Sequence, residues 1–363
     1  MHLQSLQLIN FKNHSSAEFS FNSKINCFVG KNSVGKTNIL DAIYYLSFTK
    51  SFVSSVDAYN VKIDENFFLI QGHYLRKEQA EQIHCGYKKG QKKQIKRNKK
   101  EYKKYSEHIG TFPLVMISPL DSELITGGSE LRRKFIDGVI SQYDKAYLET
   151  LLNYNLALKQ RNSLLKQFAK TNSFREDLIE VWDSQLDKYG SLIFNTRQAF
   201  IKLFLPYFQK YYEILTNDNQ EVSVDYTSQL QNESLEDLLK NTIGKDRIVQ
   251  HTTVGIHKDD LSFALNKLPI KRLGSQGQQK TLLLALKLAQ YQHIFKYSEI
   301  KPILLLDDIF DKLDKERVAN LIEIITDKDF GQTFITDTNE ERLKLALENK
   351  SKEVKIFNIN PIP

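Results

Sequence analysis

An apolar stretch, a loop with two glycines and an amphipathic stretch follow one another over residues 25–46, INCFVGKNSVGKTNILDAIYYL. The loop has the spacing G-x-x-x-x-G-K-T from Gly30 to Thr37. Glycines let consecutive backbone N–H groups point at phosphate oxygens, and the N-terminal dipole of the following helix favours the same anion. The spacing therefore predicts a phosphate-binding loop made of Gly30, Lys31, Asn32, Ser33, Val34, Gly35, Lys36, Thr37 and Asn38.

Two side chains of this loop have separate expected tasks. Lys36 is placed to reach the β- and γ-phosphates of a nucleoside triphosphate, and the Thr37 hydroxyl is placed to ligate Mg²⁺. A chance match to the pattern in a chain of this length occurs about once in a hundred sequences of average composition. The loop thus predicts ATP and Mg²⁺ as cofactors.

A second group of chemical residues stands at the end of an apolar run, ILLLDD, from Ile303 to Asp308. Asp307 is predicted to complete the Mg²⁺ shell opposite Thr37, and Asp308 to polarise the attacking water as a general base. About 270 residues separate Lys36 from Asp307, far more than a compact small-molecule kinase needs.

The segment LGSQGQQKTLLLALKLAQY lies between those motifs, with a long helix predicted to begin near Gln278. Exposed N–H groups at that helix start, together with the Ser275 hydroxyl, would form a further anion site. Ser275, Gly277 and Gln278 stand about 30 residues before the acidic pair, and there they resemble the signature of ABC ATPases, which binds the γ-phosphate held by the opposite subunit. FDKLD, which ends at Asp314, follows the acidic strand as the D-loop does in that class.

The spacing of apolar residues changes along the chain, and it indicates which strands and helices position these residues. Strand-like segments dominate the first hundred residues, and helical spacing begins near Asp144 in two stretches, the second ending near Pro206. Strand-like sequence returns at EVSVDYTSQL, and ILLLDD and QTFIT are apolar runs typical of buried parallel strands. We predict an α/β nucleotide domain split by a mostly α insertion, with lobes at 1–112, 113–247 and 248–363.

Composition excludes several classes of protein. With 363 residues, 41% hydrophobic and 26% charged, the chain is typical of an ordinary globular protein. No window has the roughly 18 apolar residues of a membrane helix, and MHLQSLQLIN lacks the pattern of a secretory signal. Cys27 and Cys85 are too few for a disulfide framework or a structural zinc site, which is typical of proteins of the reducing cytoplasm. Together, these observations lead us to expect a cytoplasmic location and no membrane association.

The basic charge is concentrated in residues 88–104, KKGQKKQIKRNKKEYKK, which hold ten basic residues and one acidic residue. The whole chain carries +7, so the remainder is close to neutral. The RNK at its centre is predicted to be the turn of a hairpin. Neutralisation of DNA phosphates is one interpretation and a solvated hairpin the other, and the candidates for DNA contact are Lys92, Lys93, Lys96, Arg97, Lys99 and Lys100.

Taken together, these motifs resemble the RecF family of bacterial recombination mediator ATPases, which is related to the SMC proteins. The resemblance extends from LQLINFKNH through GKNSVGKTN, SPLDSELITGGSELRRKFID, LKQRNSLLK and GIHKDDL to SQGQQKT, LLLDDIFDKLD and GQTFIT. It implies an ABC-type P-loop ATPase head interrupted by a short helical arm, and an ATP-dependent homodimer. It also implies binding to double-stranded DNA at gaps or double–single-strand junctions, and action with RecR and RecO to help load RecA.

Four positions bear on the details of that resemblance. The second acid is Asp308 where ABC transporters carry Glu, which predicts slow hydrolysis. Asp337 stands where transporters have the switch histidine, so no histidine sensor is assigned. Gln71 is a possible Mg²⁺-loop glutamine or an ordinary surface residue, and for His257 we favour a packed structural histidine over a ligand contact.

Three other functions remain open at this point. A transporter motor subunit shares the phosphate loop, the signature and the D-loop, but the insertion, the lysine-rich segment and Asp308 argue against it. A small-molecule kinase would leave SQGQQKT without a task. A DNA-binding clamp that holds ATP as a structural ligand differs from the leading hypothesis, a weak DNA-stimulated ATPase, only in its turnover.

Overall fold

The computed structural model describes residues 1–218, 220–310, 313–347 and 353–360, and divides the chain into two compact units. Unit 1 comprises Met1–Asp121, Tyr211–Asp218 and Lys280–Pro363, and unit 2 comprises Ser122–Lys210 and Asn219–Gln279. Each unit is therefore discontinuous in sequence, as expected for a domain split by an insertion.

The strands among the described residues are β1 (His2–Phe11), β2 (His14–Ser20), β3 (Ile25–Val29), β4 (Phe67–Arg76), β5 (Gln79–Lys88), β6 (Gln94–Arg97), β7 (Lys100–Glu101), β8 (Leu114–Ile117), β9 (Val222–Thr227), β10 (Asp260–Leu265), β11 (Leu268–Pro269), β12 (Ile303–Asp307), β13 (Thr333–Asp337) and β14 (Val354–Asn358). The α-helices are α1 (Lys36–Phe48), α2 (Glu123–Thr126), α3 (Ser129–Ile140), α4 (Lys145–Thr171), α5 (Glu176–Thr216), α6 (Leu235–Val249), α7 (Ile270–Leu273), α8 (Gln276–Ser298), α9 (Lys315–Thr326) and α10 (Glu340–Leu347).

A five-stranded sheet in unit 1 has the order β14-β3-β13-β12-β8, and all its pairs are parallel. Every residue of β3, β8, β12 and β13 is buried, which explains why these strands read as continuous apolar runs. The prediction that ILLLDD and QTFIT form buried parallel strands is confirmed. Helix α1 follows β3 and the loop in sequence, and it packs against the strands β12 and β13. This is the position of a helix that connects parallel strands.

A second sheet in unit 1 is antiparallel, with the order β2-β1-β4-β5-β6-β7. The lysine-rich segment forms its last hairpin, in which Arg97 pairs with Lys100 across a turn made by Asn98 and Lys99. Those two residues have φ of 50° and 70°, the left-handed pair that a tight hairpin turn requires. The predicted hairpin with its turn at RNK is confirmed.

One hydrophobic core joins the two sheets of unit 1. Leu6 and Phe68 from the antiparallel sheet, Ile43 from α1 and Leu305 from β12 belong to the same cluster and are at most 1% exposed. The phosphate-binding segment therefore sits on a rigid, well-packed base, the arrangement that a precise binding site needs.

Unit 2 contains the two predicted helical stretches, α4 and most of α5, and a three-stranded antiparallel sheet, β11-β10-β9. Helix α4 ends at Thr171 and is followed by Asn172, whose φ of 48° and N–H bond to the Phe168 carbonyl form a left-handed cap. The predicted end of the second helix near Pro206 is wrong, because α5 continues to Thr216. Proline removes one backbone hydrogen bond, but the residues beyond it keep helical spacing and are buried: Phe208, Tyr211, Tyr212 and Leu215.

Buried arginines tie the helices of unit 2 to its sheet. Arg197, 1% exposed, donates to Asp137 and Asp259 at 2.9 Å each. Arg132 forms two hydrogen bonds to Asp260, at 2.8 and 3.0 Å. Because removing one partner would leave a buried charge uncompensated, these pairs fix how the elements dock. Arg132 and Asp137 of the RRKFID stretch thus have structural tasks.

Arg161 and His257 complete this polar interior. Arg161 is fully buried and donates to Asp183 and Asp246, at 2.5 and 2.6 Å. His257 lies between the Tyr154 hydroxyl at 2.8 Å and the Thr252 carbonyl at 3.2 Å. The structural interpretation of His257 therefore agrees with its surroundings.

The compact units end at residues 121 and 279, whereas the sequence suggested lobes ending at 112 and 247. The second difference has a clear cause, since β9 pairs with β10 and holds the segment after residue 247 in unit 2. The boundaries of independent folding domains stay a prediction. Among the described residues, no helix is both long and apolar enough to cross a membrane.

Candidate nucleotide-binding site

A pocket of about 170 Å³ lies in unit 1, where the carboxyl ends of β3, β12 and β13 meet. Ligands of α/β proteins bind at this edge of a parallel sheet. The lining residues come from the predicted phosphate loop, the acidic strand and one further strand end: Asn32, Ser33, Gly35, Lys36, Thr37, Asn38, Asp307, Asp308 and Thr336. The structure thus brings together residues about 270 positions apart.

The two glycines of the loop are required by their surroundings. A Cβ on Gly30 would lie 2.4 Å from the Ile359 carbonyl oxygen. A Cβ on Gly35 would lie 2.4 Å from the Asn13 side chain, and its φ of 102° is one that L-residues rarely adopt. A side chain at Gly30 would clash with backbone, and one at Gly35 would strain the backbone and displace Asn13.

The turn between β1 and β2 holds this loop from outside. The Asn13 Nδ2 donates to the Val34 carbonyl at 3.1 Å, while its Oδ1 accepts from Asn38 at 2.7 Å. The His14 Nε2 lies 3.2 Å from the Gly35 carbonyl and must donate, since the carbonyl has no proton. Burial lowers the pKa of His14, which favours the neutral ring. The sequence showed Asn13 and His14 only as part of a resemblance and assigned neither of them a role.

Lys36 begins helix α1 with its ammonium folded back over the loop. The Nζ donates to the carbonyls of Gly30 at 2.7 Å and Lys31 at 2.8 Å. Burial lowers the pKa of Lys36, and the nearby carboxylates of Asp308 and Asp307 oppose that shift. A cation is therefore held at the mouth of the loop, within reach of phosphate oxygens placed there.

Thr37 and Asp307 are in direct contact, with the hydroxyl donating to the carboxylate at 2.9 and 3.1 Å. A hydroxyl and a carboxylate are hard oxygen ligands of the kind that Mg²⁺ prefers. Among the described residues, no group of three or more His, Cys, Asp or Glu side chains is arranged to hold a metal ion by itself. The pair fits the predicted Mg²⁺ site. Burial raises the pKa of Asp307, and hydrogen bonds from Thr336 and Thr37 oppose that rise.

Asp308 follows β12 with a φ of 50°, an uncommon value for a residue other than glycine. Its N–H donates to the Thr336 hydroxyl at 3.0 Å, and the residue lines the pocket beside Asp307. The backbone therefore places the second acid at the site, where the sequence predicted a general base. Thr336, by contrast, was missed, because nothing in QTFIT distinguishes it from an ordinary strand residue.

The predicted signature residues belong to unit 2. The Ser275 hydroxyl accepts from the Gln278 N–H at 3.2 Å, while the Gln278 side chain accepts from the Ser275 N–H at 2.9 Å. This reciprocal pair is a capping box, and it explains why α8 begins at Gln276, two residues before the predicted start near Gln278. Gly277 lies between them in the first turn, so the three residues form one helix start.

Two further predicted residues have local partners. Asp314 caps helix α9, since its carboxylate accepts from the Arg317 N–H at 2.9 Å. Residues 311 and 312 of the predicted D-loop lie outside the described part of the chain. Asp337, at the switch position, is 1% exposed and accepts from Arg342 at 2.6 Å. Gln71 lies on β4 in contact with His73 and is absent from the pocket lining, so the Mg²⁺-loop interpretation lacks support.

The lysine-rich hairpin divides into paired and exposed cations. Lys93 donates to the Thr49 carbonyl at 2.6 Å and pairs with Asp57 at 3.0 Å. Arg97 forms a two-point ion pair with Glu81, which is 5% exposed. These two cations are paired with carboxylates of the chain, whereas Lys92, Lys99 and Lys100 are exposed and Lys96 is half-buried.

The chain is similar along its whole length to proteins of one family. The RecF/RecN/SMC N terminal domain family matches residues 2–359. The DNA replication and repair protein RecF of Flavobacterium johnsoniae is 49% identical over 99% of this chain and all of its own length. The RecF of Bacteroides thetaiotaomicron is 47% identical over 99% of this chain and 97% of its own length.

The chain is also similar in structure to solved RecF proteins. The recombination mediator protein RecF of the RecFOR pathway, in its RecF-ATPrS structure, superposes with a TM-score of 0.87 at 30% identity, covering 99% of this chain and 96% of that one. An Smc head domain from Pyrococcus furiosus has a TM-score of 0.56 at 15% identity over 99% and 94%, which shows the shared fold alone. The chain belongs to the RecF family, within the RecF/RecN/SMC group of ABC-type ATPases.

Proposed function

We propose that this protein is an ATP-dependent DNA-binding protein of recombinational repair and replication restart. It binds double-stranded DNA at gaps or double–single-strand junctions as an ATP-induced homodimer, and it hydrolyses ATP weakly with stimulation by DNA. With RecR and RecO it helps load RecA. The relatives reported above are replication and repair proteins, which favours this proposal over a transport motor.

The observation that carries the proposal is the contact between Thr37 and Asp307 in a pocket whose other wall is the glycine loop. This contact joins a glycine-rich loop to the acidic end of a strand. Sites for a nucleoside triphosphate and its Mg²⁺ are built from these two parts. Mg²⁺ bound by Thr37 and Asp307 would neutralise charge on the phosphates. Lys36 would supply the second positive charge when its ammonium turns from the loop carbonyls to phosphate oxygens.

Hydrolysis further needs a group that takes a proton from water. Asp308 lines the pocket beside the Mg²⁺ ligands, and its carboxylate is the proposed base. Its side chain is one methylene shorter than glutamate, which restricts where the water can stand and supports slow turnover. The γ-phosphate would also contact Ser275, Gly277 and Gln278 of the other subunit, because they lie at the N-terminal end of α8, where the helix dipole favours an anion.

DNA binding is proposed at the exposed cations of the lysine-rich hairpin. Lys92, Lys99 and Lys100 lie on the outermost strands β6 and β7 or just before them, where phosphates can reach them. Lys93 and Arg97 are left out of the proposed contact because each is already paired with a carboxylate of the chain.

Analytical ultracentrifugation tests the proposal as a whole. The protein is sedimented with ATP, with ADP and without nucleotide, each with a gapped duplex, an intact duplex or no DNA. We expect a dimer with ATP and little dimer with ADP, and co-sedimentation with DNA that depends on ATP and is stronger for the gapped duplex. A monomer under all conditions, with DNA binding unaffected by nucleotide, would contradict the proposal.

A further inference from the structure

Thr336 is buried at the end of β13, between the strand that leads into the phosphate loop and the strand that carries the acids. It pairs with Phe28 of β3 on one side and with Asp307 of β12 on the other. Its side chain is 1% exposed and lines the nucleotide pocket. The parallel register of three strands thus fixes the position of its hydroxyl.

That hydroxyl connects both acids of the site. It donates its proton to Asp307 Oδ1 at 2.8 Å, and its oxygen accepts the N–H of Asp308 at 3.0 Å. A hydroxyl has one proton to donate and lone pairs to accept, so both bonds form at once. Asp307 Oδ1 also accepts from Thr37 at 2.9 Å, so two threonines hold the same carboxylate oxygen.

The bond to the Asp308 N–H has a further effect. Asp308 has a φ of 50°, in a region that non-glycine residues occupy only when their surroundings hold them there. The Thr336 oxygen supplies one such restraint. If it were absent, the backbone at Asp308 would be able to relax and its carboxylate would change direction.

We propose that Thr336 is a positioning residue of the ATPase site, which orients the Asp307 carboxylate toward Mg²⁺ and fixes the backbone that aims Asp308. In this role it acts through the two acids. The proposal rests on the proposed function, since it assumes that Asp307 serves a Mg²⁺–ATP complex.

Thr336→Val tests it, because valine keeps the branched shape that suits a buried strand and removes only the hydroxyl. The half-saturating Mg²⁺ concentration is measured from binding of a fluorescent ATP analogue. We expect it to rise by about 10- to 100-fold, the usual cost of losing a partner of a metal ligand. The kcat should fall, and binding of the analogue in EDTA should stay as in wild type. Since the affinity for Mg²⁺ alone is then weakened, KM for Mg²⁺–ATP should rise by a similar factor.

The same strand offers a matched control. Thr333 is fully buried in β13, and its hydroxyl has no hydrogen-bond partner among the described residues. Thr333→Val makes the same chemical change three residues away, so it should leave the Mg²⁺ dependence and kcat unchanged. Thr336→Ser retains the hydroxyl, and it should behave nearly as wild type.

The possible results distinguish failure of this inference from failure of the proposed function. Thr336→Val with wild-type Mg²⁺ dependence and kcat would overturn the proposal, as would Thr336→Ser impaired as strongly as Thr336→Val. Should the valine variant not fold, Thr336→Ser and Thr336→Ala differ by one oxygen, and equal Mg²⁺ dependence in that pair would likewise overturn it. Wild-type protein that binds the analogue equally with and without Mg²⁺ would instead contradict the underlying ATPase proposal, and this inference with it.

Discussion

At the scale of single residues, the sequence predicts those residues of the pocket whose roles follow from a local sequence pattern. Gly30, Lys36 and Thr37 are fixed in type by the loop they form, and Asp307 by its place at the end of an apolar strand. Thr336 and His14 were not predictable, because their roles depend on strand pairing and on a turn that lie far from the loop in sequence.

Lys36 and Asp308 should separate binding from chemistry. Lys36→Ala removes a cation from the β- and γ-phosphates, and we expect ATP affinity to fall by about 10-fold or more, as for the loss of a charge-assisted hydrogen bond. Asp308→Asn should bind ATP as wild type and lose turnover, because an amide does not accept the proton of water. Isothermal titration calorimetry and a phosphate-release assay with DNA measure the two effects.

The outcome that contradicts the assignment is specific. Normal ATP hydrolysis by Asp308→Asn with DNA present would show that another group is the base. Thermal unfolding of both variants is the control, since Lys36 also holds the carbonyls of Gly30 and Lys31.

His257 predicts a dependence of stability on pH. Burial lowers its pKa to about 4, below the ordinary value of 6.5, and the hydrogen bond to the Thr252 carbonyl opposes part of that shift. Between pH 6.5 and 4 the unfolded chain therefore binds a proton that the folded chain does not, so the free energy of unfolding falls as the pH is lowered through this range. The difference in unfolding free energy between wild type and His257→Gln, from urea titrations, should shift against the wild type from about pH 7 to about pH 4.5. A difference independent of pH would mean that folding leaves the pKa of His257 unchanged.

At the scale of elements, periodicity predicted the type of most segments but not how their charges are used. The hairpin turn at Asn98 and Lys99 follows from sequence, since both residues adopt left-handed conformations there. The pairing of Lys93 with Asp57 does not, because a run of lysines looks the same whether each is exposed or bonded. Pro206 shows the converse case, in which continued burial of apolar residues outweighs a local signal to stop.

The hairpin's division into exposed and paired cations can be tested with DNA. Replacing Lys92, Lys99 and Lys100 by Ala should weaken duplex binding for all sequences. The slope of log K against log salt should shrink by roughly 0.9 for each DNA phosphate that a lysine no longer neutralises. Fluorescence anisotropy at several salt concentrations measures this, and an unchanged slope would indicate a solvated hairpin without a role in binding.

Lys93→Ala is the matched comparison in the same segment. Its ammonium bonds to Thr49 at the end of helix α1 and to Asp57, so its removal should cost about 1–3 kcal/mol of stability. The salt slope should not change. A decrease in slope equal to that of an exposed lysine would show that Lys93 leaves Asp57 for DNA.

At the scale of the whole molecule, the two motifs that are proposed to contact the γ-phosphate belong to different compact units of the chain. Lys36, Thr37, Asp307 and Asp308 are in unit 1, and Ser275, Gly277 and Gln278 are in unit 2. The order of these motifs and the insertion between them could be predicted from local patterns alone. The extent of unit 2 could not, because it depends on pairing between β9 and β10.

Ser275→Arg tests the proposed assembly. It should bind ATP as a monomer, because its own phosphate loop is intact, and fail to dimerise, because the arginine would block the γ-phosphate of the partner. Mixed with Lys36→Ala, it should recover at most part of the dimer and of the activity. One composite site then joins an intact loop to an intact helix start, and the other carries both changes. Dimerisation of Ser275→Arg as tight as wild type, in sedimentation with ATP, would refute the signature assignment.

The order of strands in the parallel sheet also has a consequence for the synthesis of the protein. β3, which leads into the phosphate loop, pairs with β13 and β14, and about 300 residues separate it from the first of these partners. A ribosome that adds about 5–20 residues per second leaves β3 without either neighbour for roughly 15 to 60 s. During that interval the apolar side chains of Cys27 and Phe28 lack their final covering, so we expect the nascent chain to need protection by chaperones. Nucleotide binding would then begin only when nearly the whole chain has emerged, and would report that the sheet is complete.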